Sequence, residues 1–249
     1  MKKFKLVEKY EFELIPGDEK LITGEKGVVS YYHYVNSEPY ETGKNLIGIE
    51  WLTADLPKGL TLCDPFAGCG LFAFVVNKTI EPSKLWLCEI DEECFNQLKH
   101  AFKDVENAKI FMADAKEMFA SPSYPRADIY LCDFPRFTLR RHQTEQRWAP
   151  ELKQMFAANP RAIIMSDGSS HLNHFVQNAF RKVGIDTGKG REDFARYASR
   201  YLHETYGYSI TMCAYHGNCF YYRLEKTEPG DIKFNFIKAG SWKKGLNTL

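Results

Sequence analysis

Hydrophobic positions follow two different spacings from about residue 60 onward. Apolar side chains that recur three or four residues apart predict helices at 71–78, 92–105, 172–183 and 194–202. Short apolar runs separate or precede these helices and predict strands at 60–63, 84–88, 109–112, 127–132 and 161–165. Repeated strand–helix units are typical of an α/β domain, in which a mostly parallel sheet carries helices on both faces.

A hairpin is predicted near the C-terminal end of this pattern. Two strand-like runs, 208–215 and 219–224, flank Gly217 and Asn218, a residue pair typical of tight turns. Because a hairpin joins antiparallel strands, we expect it to supply an antiparallel edge to the sheet. The fold class expected is therefore Rossmann-like α/β with an antiparallel C-terminal hairpin.

The N-terminal segment, 1–40, interrupts the regular pattern. It contains strand-like pieces at 10–15 and 27–35, and a predicted helix at 42–54 follows it. A turn at Pro229 and Gly230 separates the last predicted strand from the C-terminal segment. The predicted organisation is an N-terminal appendage at 1–40, one α/β domain at 41–228 and a C-terminal extension at 229–249.

Composition and charge exclude several classes of protein. The 249 residues are 44% hydrophobic and 26% charged, which is typical of a globular domain and not of a disordered or fibrous chain. The longest apolar runs are far shorter than the ~18 residues of a membrane span, and no signal peptide is recognised, so a cytoplasmic protein is expected. With 33 basic and 32 acidic side chains, a nucleic acid would have to bind a local basic patch.

Seven cysteines are present, but none is arranged as the C-x-x-C pair of a zinc site. Most of them lie in apolar runs. We therefore expect buried, reduced thiols and no bound metal. These cysteines are Cys63, Cys69, Cys88, Cys94, Cys132, Cys213 and Cys219.

Acidic residues follow four predicted strands in turn. The first strand leads through Asp64 into a glycine-rich turn, and the second strand ends at Glu89. In nucleotide-binding α/β folds an acid at this second position binds the ribose hydroxyls of an adenosine. Asp114 and Asp133 end the third and fourth strands. Each acid alone could be a helix cap or a surface carboxylate, but the four in order predict a ligand site at one sheet edge.

The glycine-rich turn itself has the sequence Asp-Pro-Phe-Ala-Gly-Cys-Gly at 64–70. Gly68 and Gly70 let the backbone approach a ligand closely. Asp64 would repel a phosphate, so the turn suits a cationic or zwitterionic ligand.

This turn resembles motif I of the class I S-adenosylmethionine-dependent methyltransferases, in particular the nucleic-acid amino-methyltransferases. Its Phe-Ala-Gly-x-Gly core is also similar to that of the tRNA guanine-N1 methyltransferases. The resemblance implies S-adenosylmethionine as cofactor, with Asp64 and the turn at its methionine part, Glu89 at the ribose and Asp114 at the adenine amino group. The full set of cofactor-binding residues that it implies is Asp64, Phe66, Ala67, Gly68, Gly70, Glu89, Ile90, Asp114 and Ala115.

The segment after the fourth strand, Asp-Phe-Pro-Arg-Phe at 133–137, resembles the [DNS]-P-P-[YFW] motif of amino-methyltransferases. That motif implies that the acid accepts hydrogens from the target amine while the aromatic ring stacks on an extruded base. Phe134 replaces the first proline and Arg136 replaces the aromatic residue, so another ring nitrogen is a possible target. Alternatively, Pro135 only ends a strand and Arg136 is solvated. The candidate catalytic residues are Asp133, Pro135, Arg136 and Phe137.

Basic residues follow the candidate reaction segment closely and predict a nucleic-acid partner, DNA or RNA. The alternative is a solvated loop whose charges are balanced by Glu145 and Glu151. The tract at 31–34, Tyr-Tyr-His-Tyr, has two interpretations. Either its rings stack on bases, or its side chains alternate between the two faces of a half-buried strand. The proposed nucleic-acid contacts are Arg136, Arg140, Arg141 and Arg147.

The function predicted is methyl transfer from S-adenosylmethionine to a base nitrogen of a nucleic acid. The first alternative is a methyltransferase for a protein or a small molecule, favoured by the near-neutral charge and by Arg136 as a carboxylate clamp. The second alternative is a catalytically silent binding module, favoured by the departures in the reaction motif.

Overall fold

The computed structural model describes residues 3–7, 10–13, 48–121, 126–132, 154–167, 191–216 and 219–236. Near the N-terminus, β1 (Lys3–Val7) and β2 (Tyr10–Glu13) pair antiparallel as a separate two-stranded sheet. The predicted strand at 27–35 and the predicted helix at 172–183 lie outside the described residues. Within the described ranges, no helix has the length and apolar character needed to cross a membrane.

Eight further strands within the described ranges form the main sheet. They are β3 (Thr61–Asp64), β4 (Lys84–Glu89), β5 (Ala108–Met112), β6 (Ile129–Cys132), β7 (Ala162–Asp167), β8 (Ser209–His216), β9 (Cys219–Glu225) and β10 (Lys233–Phe236). Their spatial order is β10-β8-β9-β7-β6-β3-β4-β5. Only β9 is antiparallel to its neighbours in this sheet, so the other seven strands point the same way. The predicted mostly parallel α/β sheet with an antiparallel C-terminal hairpin is confirmed.

The hairpin lies inside the sheet and not at its edge. β9 is inserted between β7 and β8, and β10 pairs in parallel with the outer side of β8. Residues 233–236 of the predicted C-terminal extension therefore form the edge strand. The run Lys-Phe-Asn-Phe is too short for its alternation to stand out after the Pro229–Gly230 turn.

In the part of the chain that the structure describes, four helices cover both faces of the sheet. α1 (Leu71–Ile80) and α2 (Glu92–Ala101) pack on the face that carries Leu62 and Leu85. The opposite face is covered by α3 (Ala115–Ala120) and α4 (Arg191–Tyr206). Residues 48–53 and 154–157 are also helical. Both sheet faces are thus buried, which explains why the strands read as continuous apolar runs.

The predicted helix at 92–105 is shorter in the structure. α2 ends at Ala101, and Phe102 is its C-cap. The amide of Val105 then donates to the carbonyl of Phe102, which closes a turn before β5. Phe102 is buried and Val105 packs on the same core. These two apolar residues therefore have the spacing of a helix, although the chain forms a turn here.

A polar clamp at the amino edge of the sheet fixes β3 beside β6. One Asp128 carboxylate oxygen accepts hydrogen bonds from the amide and the hydroxyl of Thr61, at 2.8 and 2.7 Å, and the Asp128 amide donates to the Thr61 hydroxyl at 2.9 Å. The clamp holds together the two strands whose opposite ends lead into the glycine-rich turn and the candidate reaction segment.

Candidate functional site

The glycine-rich turn leaves the carboxyl end of β3 and is tied to β4. Asp64 is buried at the end of β3, and its Oδ1 accepts a hydrogen bond from the amide of Phe66 at 3.1 Å. The amide of Ala67 donates to the carbonyl of Cys88 on β4 at 2.9 Å. The turn is therefore held from both sides, by its own acid and by the neighbouring strand.

Both glycines of the turn have left-handed backbone conformations. Gly68 has φ of 56° and Gly70 has φ of 87°. Gly70 is the N-cap of α1, and a β-carbon there would lie 2.5 Å from Leu98 Cδ1 and 2.6 Å from Phe102 Cε2. Gly70 is thus required for the close packing of α1 on α2 as well as for the turn.

Glu89 lies at the end of β4 and is only 6% exposed. Its Oε2 accepts a hydrogen bond from the amide of Gly68 at 2.7 Å. Its Oε1 accepts from the amides of Ile90 and Asp91, both at 2.8 Å. Burial raises the pKa of the Glu89 carboxyl, and these three hydrogen bonds partly offset that effect.

Asp114 follows β5 and caps a helix. Its Oδ1 accepts a hydrogen bond from the amide of Lys116 at 2.8 Å, so it is the N-cap of α3. Ala115, the first residue of α3, is buried against the core of that face. The short helix α3 was not predicted, because its six residues span fewer than two turns and show little periodicity.

Asp64, Glu89 and Asp114 lie at or just after the carboxyl ends of the adjacent strands β3, β4 and β5, around Cys88 on β4. The pKa of the Cys88 thiol is raised to about 12, mainly by burial and then by repulsion from the carboxylates of Glu89, Asp64 and Asp114. The structure therefore brings together three acids that the sequence placed at the ends of consecutive strands. Their negative potential favours a cationic ligand over an anionic one.

Two exposed apolar side chains border this acidic group. Ile90 is 63% exposed directly after Glu89, and Met112 is 53% exposed at the end of β5, where it is the register partner of Glu89. Ile90 was implied by the resemblance, whereas Met112 was missed. The available signal was its position as the last apolar residue of β5, just before Asp114.

The candidate reaction segment begins where β6 ends, at Cys132. β6 is the neighbour of β3, so the chain enters this segment at the carboxyl edge beside Asp64. The tract at 31–34 lies outside the described residues. So do the residues proposed for catalysis and nucleic-acid contact, which are Asp133, Pro135, Arg136, Phe137, Arg140, Arg141 and Arg147.

The described cysteines Cys63, Cys69, Cys88, Cys94, Cys132 and Cys213 are buried, and none of them is in a disulfide. In the same ranges, no group of three or more histidine, cysteine or acidic side chains is arranged to hold a metal ion.

Comparison with known proteins identifies the fold. No protein-family model and no curated protein sequence matches the chain. Among solved structures, a candidate RNA methyltransferase from Pyrococcus horikoshii aligns with 75% of this chain and 86% of its own, at 17% identity and a TM-score of 0.52. The fold is therefore the Rossmann-like fold of class I methyltransferases.

Two further structures show the same likeness. Magnesium protoporphyrin IX methyltransferase from Synechocystis PCC 6803 with bound SAM aligns with 84% of this chain and 94% of its own, at 12% identity and a TM-score of 0.52. The N-methyltransferase NodS from Bradyrhizobium japonicum WM9 aligns with 78% and 99%, at 9% identity and a TM-score of 0.52. At these identities the likeness shows the fold alone.

Proposed function

We propose that this protein is an S-adenosylmethionine-dependent methyltransferase that methylates a base nitrogen of a nucleic acid. The observation that carries the proposal is the position of Asp64, Glu89 and Asp114 at the carboxyl ends of three adjacent parallel strands, beside a left-handed glycine turn. Open α/β sheets bind ligands at this edge. An acidic site suits this cofactor because it carries a positive sulfonium and no phosphate.

Glu89 retains the capacity to bind a ribose. A carboxylate offers about four acceptor positions, and the backbone amides of Gly68, Ile90 and Asp91 use three of them. The remaining position, on Oε2, is the proposed acceptor for a ribose hydroxyl. Ile90 and Met112 provide apolar surface for the adenine, and the second oxygen of Asp114 is the proposed acceptor for its amino group.

Phosphate-bearing nucleotides fit this site less well. In dinucleotide-binding folds, backbone amides of the glycine-rich turn face the pyrophosphate. Here the amide of Gly68 donates to Glu89 instead, and Asp64 lies at the start of the same turn. A phosphate would meet two carboxylates and lose one donor, which supports a nucleoside cofactor without phosphate.

The first prediction tests cofactor binding. Replacing Glu89 with alanine should weaken S-adenosylmethionine binding by about 2–3 kcal/mol, because a charge-assisted hydrogen bond to the ribose is lost. Isothermal titration calorimetry measures this loss directly. Glu92→Ala is the matched control, since it removes a carboxylate from the first turn of α2 and should leave the affinity unchanged. Tight binding by Glu89→Ala would remove Glu89 from the site.

The bound cofactor would supply a reactive methyl group on a positively charged sulfur. The protein then has mainly to hold a nitrogen lone pair in line with that methyl group, so no strong base is needed. We assign this positioning to Asp133 and Pro135, which follow the β6 strand. Arg136 or Phe137 would stack on the extruded base.

The basic residues after this segment are the proposed contacts to the nucleic-acid backbone. Each phosphate contact makes the logarithm of affinity fall with the logarithm of salt concentration by about 0.7 to 0.9. Arg140 and Arg141 follow Asp133 closely in the sequence, so their charges can border the reaction site.

The second prediction tests these contacts. Replacing Arg140 and Arg141 together with alanine should flatten the salt dependence of RNA or DNA binding by about one to two units. Cofactor affinity should stay unchanged. Fluorescence anisotropy over a series of salt concentrations measures the slope. If neither the wild-type protein nor the variant binds nucleic acid in a salt-sensitive way, and both methylate a peptide or small molecule, the nucleic-acid substrate is wrong.

A further inference from the structure

We propose that Glu89 is the positioning residue of the glycine-rich turn, and that it holds the turn in its binding conformation before any cofactor arrives. The proposal deepens the proposed function and rests on it, because the turn is the proposed cradle of the cofactor. It adds a second role to Glu89, in which the side chain acts on the protein's own backbone.

The two carboxylate oxygens of Glu89 bind two different segments. Oε2 accepts from the Gly68 amide in the turn after β3, and Oε1 accepts from the Ile90 and Asp91 amides in the turn before α2. One side chain thereby links the two loops that follow neighbouring strands. All three bonds are short, at 2.7 Å to Gly68 and 2.8 Å to each of the other two amides, as expected for charge-assisted hydrogen bonds.

The link satisfies two buried polar groups, one in the turn and one at the end of β4. Gly68 is buried and has φ of 56°, so its amide needs a partner that lies inside the protein. Glu89 is itself buried, and a buried carboxylate is retained at low cost only where donors surround it. Each group satisfies the other, while the Ala67–Cys88 backbone bond adds a second tether to β4.

A glutamine cannot replace this arrangement. Its amide has one acceptor oxygen and an NH₂ group that only donates, whereas all three partners of Glu89 are donors. Glu89→Gln therefore loses either the bond to Gly68 or the bonds to Ile90 and Asp91, and it places one donor against another. Protonation of Glu89 has a similar effect, because the added hydrogen removes acceptor capacity.

The experiment observes the Gly68 amide by ¹⁵N NMR in the cofactor-free, full-length protein. In the wild type, its proton shift should titrate with Glu89. Because burial raises the pKa of Glu89, the midpoint should lie above 4.5, the ordinary value. The hydrogen bond is present above that midpoint and weakens as the pH falls through it.

The variants provide the second readout. In Glu89→Gln the Gly68 shift should no longer titrate, and hydrogen exchange should be faster by at least about tenfold on one side of the link, at Gly68 or at Ile90 and Asp91. Glu92→Gln is the matched control. It makes the same chemical change nearby, in the first turn of α2, and should leave the titration and the exchange of Gly68 unchanged.

Two outcomes would overturn the proposal. One is a Gly68 shift in the wild type that does not respond to pH, a measurement that needs no variant to fold. The other is slow, wild-type exchange at all three amides, Gly68, Ile90 and Asp91, in Glu89→Gln. Neither depends on cofactor binding. If calorimetry detects no S-adenosylmethionine binding while Gly68 titrates as expected, the proposed function fails and the positioning role stands.

Discussion

Replacing Gly70 with alanine is expected to lower the free energy of unfolding by about 2–5 kcal/mol. About 1–2 kcal/mol comes from the left-handed conformation of this residue, in which a β-carbon crowds the backbone. A further ~1–3 kcal/mol comes from overpacking, because the new methyl group would lie 2.5 Å from Leu98 and 2.6 Å from Phe102. Urea denaturation of the cofactor-free protein measures the change.

Gly59→Ala separates the two contributions to that loss. Gly59 has a similar φ of 77°, but no heavy atom lies within 4 Å of the position that its β-carbon would take. This variant should therefore show only the conformational cost of about 1–2 kcal/mol. If Gly70→Ala is no less stable than Gly59→Ala, then α2 yields to the added methyl group and the packing argument is wrong.

Replacing Asp133 with alanine is expected to reduce methyl transfer by at least about a hundredfold. We place this side chain at the reacting nitrogen, where loss of orientation alone costs a factor of this size. Incorporation of a labelled methyl group from S-adenosylmethionine into RNA or DNA measures turnover.

The binding properties of this variant should contrast with its loss of turnover. Cofactor affinity and most of the salt-dependent binding to nucleic acid should be retained, because neither is assigned to Asp133. The Arg140 and Arg141 variant should instead bind nucleic acid more weakly, and its cofactor affinity should also be unchanged. An Asp133→Ala enzyme with full turnover would contradict the proposed reaction segment.

The positions of the strands could be predicted because a strand that is buried on both faces is a continuous run of apolar residues. The apolar run at 60–63 and β3 at Thr61–Asp64 differ by a single position, and the bounds of β4, β5, β6 and β7 agree with their predicted runs to within two positions. Strand order could not be read from the same runs. The insertion of β9 between β7 and β8 depends on long-range pairing, such as Ile164 with Arg223, and local patterns do not encode it.

The sequence predicted that Asp64 and Glu89 end neighbouring strands, but it did not predict the contacts between the segments that carry them. Glu89 and Asp64 follow their strands in the sequence, and the shared strand direction brings them to one edge. The bond from Gly68 to Glu89 depends on a left-handed backbone that spacing cannot reveal. Asp114 is the helix cap that the sequence offered as one interpretation, and the ligand contact of its second oxygen stays a proposal.

The strand order also has a consequence for the folding pathway. β3 and β4 are consecutive in the chain and adjacent in space, as are β4 and β5, so this part of the sheet needs only contacts between nearby segments. β7 gains its second neighbour only when β9, which follows α4 and β8 in the chain, is inserted beside it. Because closing long loops slows folding, the half that carries Asp64 and Glu89 should form early and the half beyond β7 late. On a ribosome, the cofactor half would thus emerge and organise first, leaving the outer edge of β7 unpaired until the C-terminal hairpin arrives.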